Sequence, residues 1–154
     1  MNTNDLNLPE VIIYTDGGAS PNPGLGGWSA VLYSPKHNRT REIYGAVPDT
    51  TNNRMELTAA IKALEALKMP CKVILTTDST YLKNAFTEGW LEKWQRTNWK
   101  NSDKKNVLNR DLWEELLKLT SVHSVKWNWT KGHADNKFNN RCDELVQQAR
   151  REYN

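Results

Sequence analysis

Apolar and polar residues along the chain follow a strand-rich first third and a helix-rich remainder. Val11-Ile12-Ile13-Tyr14-Thr15 is a short β-branched and aromatic run, which predicts a buried strand. The turn-rich stretch Gly17 to Gly24 after it reads as a loop. Two more strands are expected at about 26–34 and 39–47, joined by a hairpin loop at Ser34–Asn38. The clearest helix runs over about 52–68, with Asn52 or Asn53 as its cap and Pro70 just past its end. Val73–Thr77 is a fourth strand, and 79–96 is helical with a break near Gly89. Residues 100–107 are polar and irregular, Leu108–Leu119 is helical, Ser124–Trp129 is a strand, and about 139–152 is a final helix. This order predicts one mixed α/β sheet with helices packed on its faces.

Composition sets the scale. The chain has 154 residues, about one domain at roughly 150 residues each. Residues 1–9 read as a polar tail to that single domain. Apolar residues make up 38% and charged residues 25%, which excludes disorder. No apolar run reaches the roughly 18 residues of a membrane helix, and Met1–Asp5 lacks the basic and hydrophobic regions of a secretory signal. Cys71 and Cys142 are isolated and form no disulfide framework. The expectation is a soluble cytoplasmic protein with no membrane association. No feature points to an oligomer or an obligate protein partner, so a monomer is expected.

Twenty-one Lys and Arg against eighteen Asp and Glu give a net charge of +3, which is compatible with a polyanionic partner. The basic residues are unevenly spread. Between Tyr81 and Lys105 six basic residues face three acids, and Trp90, Trp94 and Trp99 lie in the same stretch.

The acids carry the chemistry. Val11–Asp16 and Val73–Asp78 are both apolar strands closed by Thr-Asp. With a helix between them as part of a crossover, the strands become parallel neighbours and both aspartates reach one sheet end, where α/β proteins bind ligands. Either aspartate alone is explained by capping the next element, as Asp78 could cap the helix after it. Two adjacent carboxylates repel, and a cation keeps them ionised. Glu56 is a third candidate. Asn53-Arg54-Met55-Glu56 has the form of a capping box, yet Glu56 also heads a small apolar stripe with Ala59, Ala60, Ala63 and Leu67. A carboxylate on a packing face needs a partner, and both roles can hold at once. Asp143 is a fourth, beside Cys142 in the last helix; its relevance depends on the other three. An all-carboxylate set suits a hard cation such as Mg²⁺, and no CxxC or HExxH pattern points to zinc.

From about Val11 to Arg151 the chain resembles the bacterial ribonuclease HI family. The resemblance rests on Thr15-Asp16-Gly17, Asn22-Pro23-Gly24 with Gly26-Gly27, Thr51-Asn52-Asn53-Arg54-Met55-Glu56-Leu57, Thr77-Asp78-Ser79, Trp127 to Ala134, and Asn139 to Leu145. It implies a five-stranded mixed sheet with the first three strands antiparallel and helices on both faces. It implies endonucleolytic cleavage of the RNA strand of RNA–DNA hybrids by two Mg²⁺ ions, with Mn²⁺ as a substitute, leaving 5′-phosphate and 3′-hydroxyl ends. Asp16, Glu56, Asp78 and Asp143 then correspond to the metal-binding acids. His133 corresponds to a loop histidine that moves protons or helps release product; without the motif it would read as an exposed turn. Asn22, Asn52 and Asn53 match hybrid-contacting asparagines, and a carboxamide suits the 2′-hydroxyl, which both donates and accepts. Their alternative role is turn and cap chemistry. Thr51 matches a contact to the DNA-strand phosphate, and Asn84 matches a position occupied by another amide.

The Trp90–Lys105 stretch resembles the family's basic protrusion, a handle for the hybrid. There Lys93 and Lys100 would supply sequence-independent phosphate contacts. For Trp90, hybrid contact and packing are equally supported; Trp94 and Trp99 read as packing. The chain departs from the family pattern at Thr80, at Gly89 (a one-residue insertion) and at Ala134 to Phe138 after His133. Two other readings are a resolvase or integrase-like nuclease on the same fold, and a hybrid-binding module without catalysis. The Thr51–Leu57 block argues against the first, and the presence of all four acids against the second.

Overall fold

A computed structural model describes residues 7–130 and 136–153. Five strands form one sheet in the order β3-β2-β1-β4-β5. They are β1 (Glu10–Ala19), β2 (Gly24–Ser34), β3 (Arg39–Thr50), β4 (Lys72–Thr77) and β5 (Ser124–Trp129). The first three pair antiparallel, while β4 is parallel to both β1 and β5. The helices are α1 (Asn52–Glu65), α2 (Thr80–Thr87), α3 (Trp90–Arg96), α4 (Arg110–Val122) and α5 (Lys137–Glu152). No helix among the described residues is long and apolar enough to cross a membrane.

Period-2 alternation assigns the two faces. On β2, Ala30 and Leu32 join the larger core with Ile13, Leu57, Leu64, Leu75, Trp113 and Leu116, under α1 and α4. Val31, between them, packs on Cys142 and Leu145 of α5 on the opposite face, together with Tyr14 and Phe138. Helices therefore cover both faces, as expected.

Two local expectations change. The Gly17–Ala19 segment continues β1, pairing with Trp28, Gly27 and Gly26. Glycines are used here because helices press on the strands. A Cβ on Gly17 would lie 2.9 Å from the Glu56 nitrogen and would also strike the Met55 carbonyl of α1. A Cβ on Gly27 would lie 2.7 Å from the Val146 carbonyl oxygen of α5. The cap of α1 is Thr51, not Asn52 or Asn53; its hydroxyl accepts the Arg54 N–H at 3.2 Å. As expected, the helical 79–96 stretch breaks at Gly89, between α2 and α3, where a φ of +72° suits glycine.

The 97–109 segment is ordered by its own backbone. Val107 N–H donates to Trp99 O at 2.8 Å, and Asn101 Oδ1 accepts from the Asp103 and Lys105 amides at 2.9 and 3.0 Å. Trp94 packs on Trp90, Trp99 and Trp113 with ring centroids 5.8, 6.2 and 5.8 Å away. This aromatic chain fastens the protrusion to the core.

Candidate active site

Register brings the acids together. Tyr14 of β1 lies opposite Thr76 of parallel β4, so Asp16 and Asp78 each stand two residues further on, at the same sheet end. The close approach at Gly17 brings α1 against this end and delivers Glu56. Carboxylate oxygens of Asp16, Glu56 and Asp78 all lie within 4.8 Å of one another.

The capping alternatives for two of these acids do not hold. Ser79, not Asp78, caps α2: its hydroxyl accepts the Leu82 N–H at 3.1 Å, and Thr77 Oγ1 accepts the Ser79 N–H at 3.1 Å. With Thr51 as the cap of α1, Glu56 falls in the second turn and forms no capping box. Glu56 is only 9% exposed, and its Oε1 is buried without a hydrogen-bond partner.

Burial and crowding make the cluster reluctant to ionise. Burial, and then the Asp78 charge, push Asp16 up to about 7 against the Gly17 N–H, which donates to Asp16 Oδ1 at 2.9 Å. Glu56 is raised well above the ordinary carboxylate range by burial first and then by Asp16 and Asp78. Asp78 is raised by burial and by Asp143. Asp143 is exposed on α5 and lies outside the group of three, but its charge reaches both Asp16 and Asp78. A buried carboxylate with an unpartnered oxygen and two carboxylate neighbours is satisfied by a cation. The donors are all oxygen, which fits Mg²⁺ or Mn²⁺.

A cavity of about 400 Å³ opens over the acids, lined also by Asn52, Asn53, Ser79, Thr80 and Tyr81. Asn22 Oδ1 accepts the Asn52 N–H at 3.1 Å, and Asn52 Oδ1 accepts the Ala19 N–H at 2.7 Å. These two asparagines thus tie the β1–β2 turn to the start of α1, while Asn53 is exposed at the cavity. Thr51 is half-buried at the same helix end. Asn84 is half-buried on α2, and Trp90 is half-buried at the start of α3. Lys93 and Lys100 are exposed on the protrusion, where Lys100 Nζ donates to Asn106 Oδ1. His133 lies outside the described residues. Cys142 is buried close to Asp16, but its thiol is pushed up to about 12 chiefly by burial, which removes it as a nucleophile.

Sequence reasoning did not single out Tyr81 and Asn109. The Tyr81 hydroxyl accepts from Asn109 Nδ2 at 3.1 Å and from Trp113 Nε1 at 3.0 Å. Nothing in a single tyrosine or asparagine announces pairing across 28 residues.

Comparison with known proteins bears on the same surface. The RNase H family model matches residues 9–151. The chain is 58% identical over 140 residues to a ribonuclease H of Chlorobium luteolum, covering 91% of this chain and 94% of that one. It is 57% identical to a ribonuclease H of a Thermoanaerobacter species over 91% of this chain and 89% of the relative. Among solved structures, LC9-RNase H1, a type 1 RNase H with the type 2 active-site motif, superposes with a TM-score of 0.80 at 28% identity, covering 93% of this chain and 72% of that one. LC11-RNase H1, solved in complex with an RNA/DNA hybrid, gives 0.65 at 25% identity over 92% and 97% of the two chains.

Proposed function

Because this chain belongs to the RNase H family, we propose that it is a Mg²⁺-dependent endonuclease that hydrolyses the RNA strand of RNA–DNA hybrids. The observation that carries this reading is the Asp16–Glu56–Asp78 cluster, with carboxylate oxygens within 4.8 Å and a buried, unpartnered Glu56 Oε1. These three residues, joined by Asp143 from α5, would hold two Mg²⁺ ions, with Mn²⁺ able to replace them. Bound Mg²⁺ supplies activation of the attacking water and stabilisation of charge at the scissile phosphate.

The chain's own residues do the rest. Burial raises Asp16 to about 7 and Glu56 well above the ordinary carboxylate range, so a bound cation would favour their ionised forms. The Asn22–Asn52 tie holds the cavity rim, and Asn53 offers a carboxamide to the 2′-hydroxyl. Lys93 and Lys100 meet backbone phosphates, giving affinity without sequence choice. His133 moves protons or helps release product. The products carry 5′-phosphate and 3′-hydroxyl ends. On this reading the chain is a single catalytic domain acting as a cytoplasmic monomer on nucleic acid.

The test is a gel assay with an end-labelled RNA strand presented as hybrid, single strand and RNA duplex, each with Mg²⁺ and with EDTA. Cleavage of the hybrid alone, and only with Mg²⁺, is expected. Failure on every substrate, with Mn²⁺ also inactive, would remove the enzymatic reading and leave a binding role.

A further inference from the structure

Asn109 occupies the cap position of α4 without acting as a cap. Its backbone is left-handed (φ 67°, ψ 22°), and its side chain makes no cap hydrogen bond, although asparagine is among the strongest cap formers. The carboxamide reaches to two other helices instead. Its Nδ2 donates to the Tyr81 hydroxyl at 3.1 Å, and its Oδ1 accepts from Arg54 Nη1 at 3.2 Å.

The two partners flank the acids. Tyr81 stands three residues after Asp78, in the first turn of α2. Arg54 stands two residues before Glu56 in α1. Both are fixed a second time to α4. Trp113 Nε1 donates to the Tyr81 oxygen at 3.0 Å, and the Arg54 guanidinium holds both Asp111 carboxylate oxygens at 3.0 and 2.8 Å. Among the described residues, Asn109 thus joins α1, which carries Glu56, to α2, which begins just after Asp78.

The Glu56 and Asp78 carboxyls converge on one site, Glu56 near the N-terminus of α1 and Asp78 just before that of α2, so the separation of these two helix ends sets the spacing of the two acids. A planar carboxamide that donates on one side and accepts on the other sets a fixed spacing. The geometry points to Asn109 as a positioning residue: with the Tyr81 hydroxyl it sets the separation of Glu56 and Asp78 and so the affinity of their site for Mg²⁺. This rests on the metal-dependent reading given above. Outer groups that orient ligands typically govern metal affinity by about ten- to a hundredfold.

Three variants test it. Asn109→Gly suits the left-handed backbone and deletes the carboxamide. Asn109→Asp keeps the acceptor for Arg54 and replaces the amide donor by an oxygen that can only accept from the Tyr81 O–H, and Tyr81→Phe deletes the shared oxygen. Two quantities are read: the Mg²⁺ dissociation constant of the substrate-free protein by calorimetry, and the Mg²⁺ concentration giving half-maximal hybrid cleavage. Both should rise about tenfold in Asn109→Gly and Tyr81→Phe, less in Asn109→Asp, while kcat at saturating Mg²⁺ is largely kept in the two Asn109 variants. Thermal midpoints are followed in parallel. A purely structural residue would lower the midpoint and leave both Mg²⁺ quantities unchanged; that result overturns the proposal. If Asn109→Gly does not fold, Asn109→Asp and Tyr81→Phe decide the matter on the same terms. Wild-type protein that binds Mg²⁺ yet cleaves no hybrid contradicts the proposed function alone, since calorimetry still reads the role of Asn109. Wild-type protein that binds neither Mg²⁺ nor Mn²⁺ overturns both.

Discussion

Replacing Asp16 by Asn should strengthen the metal-free fold, and by an amount that depends on pH. Asp16 moves from 3.8 in the ordinary case to about 7 in the folded chain, because burial and the Asp78 charge penalise its ionised form. Each pKa unit corresponds to about 1.4 kcal/mol, so the shift amounts to roughly 4 kcal/mol. Between pH 3.8 and 7 the folded chain binds more protons than the unfolded one. The contribution is therefore fully favourable below 3.8 and is lost as pH rises through 7. Asparagine keeps the oxygen that accepts the Gly17 N–H and removes the charge. In EDTA, urea denaturation should show Asp16→Asn and wild type within about 0.5 kcal/mol at pH 4. By pH 8 the variant should be about 2–4 kcal/mol more stable. Adding Mg²⁺ at pH 8 should stabilise wild type and not the variant. A stability difference that stays flat with pH, or a variant weaker than wild type at pH 8, would refute the account of a strained acidic cluster.

Other outcomes follow from named contacts. Gly17→Ala would force β1 away from the Glu56 nitrogen; a loss of about 2 kcal/mol together with a steep fall in cleavage is expected in urea melts and rate assays, and a silent variant would contradict the packing argument. His123 is buried, its Nδ1 accepts the Cys71 N–H at 3.1 Å, and burial lowers its pKa. Its stabilisation should be complete above about pH 6.5 and be lost as pH falls through the lowered folded value, so the stability gap between wild type and His123→Ala should narrow from pH 7 to pH 5. Replacing Lys93 and Lys100 by Ala should weaken hybrid binding and reduce the slope of log affinity against log salt by about 1 for each lysine; an unchanged slope in a fluorescence titration would remove them from the interface.

What the sequence revealed, and what it hid, follows the range of the forces involved. The two apolar runs closed by Thr-Asp give parallel strands whose shared end is fixed by period-2 register, so Asp16 and Asp78 were legible as a pair. Glu56 was legible because a carboxylate heading an alanine stripe has no apolar reason to be there. The caps lie one or two residues from the expected positions, at Thr51 rather than Asn52 or Asn53 and at Ser79 rather than Asp78, since Ser, Thr, Asn and Asp all cap well and the backbone chooses among neighbours. The Gly17–Ala19 segment reads as a loop locally, yet pressure from α1 on β1 makes small residues the right choice for a strand there. Asn109 and Tyr81 stayed hidden because their roles arise only from contacts across 28 and 55 residues.

The central claim is tested most directly by the chemistry of the product ends. A hybrid with an internally labelled RNA strand would be incubated with Mg²⁺ and either wild type or Asp16→Asn, and the fragments probed for terminal groups. Wild type should give 5′-phosphate and 3′-hydroxyl ends, and Asp16→Asn no fragments. Cleavage by Asp16→Asn at a near-normal rate, or ends carrying a 2′,3′-cyclic phosphate, would show that the 2′-hydroxyl rather than water attacks or that the acids are not the site.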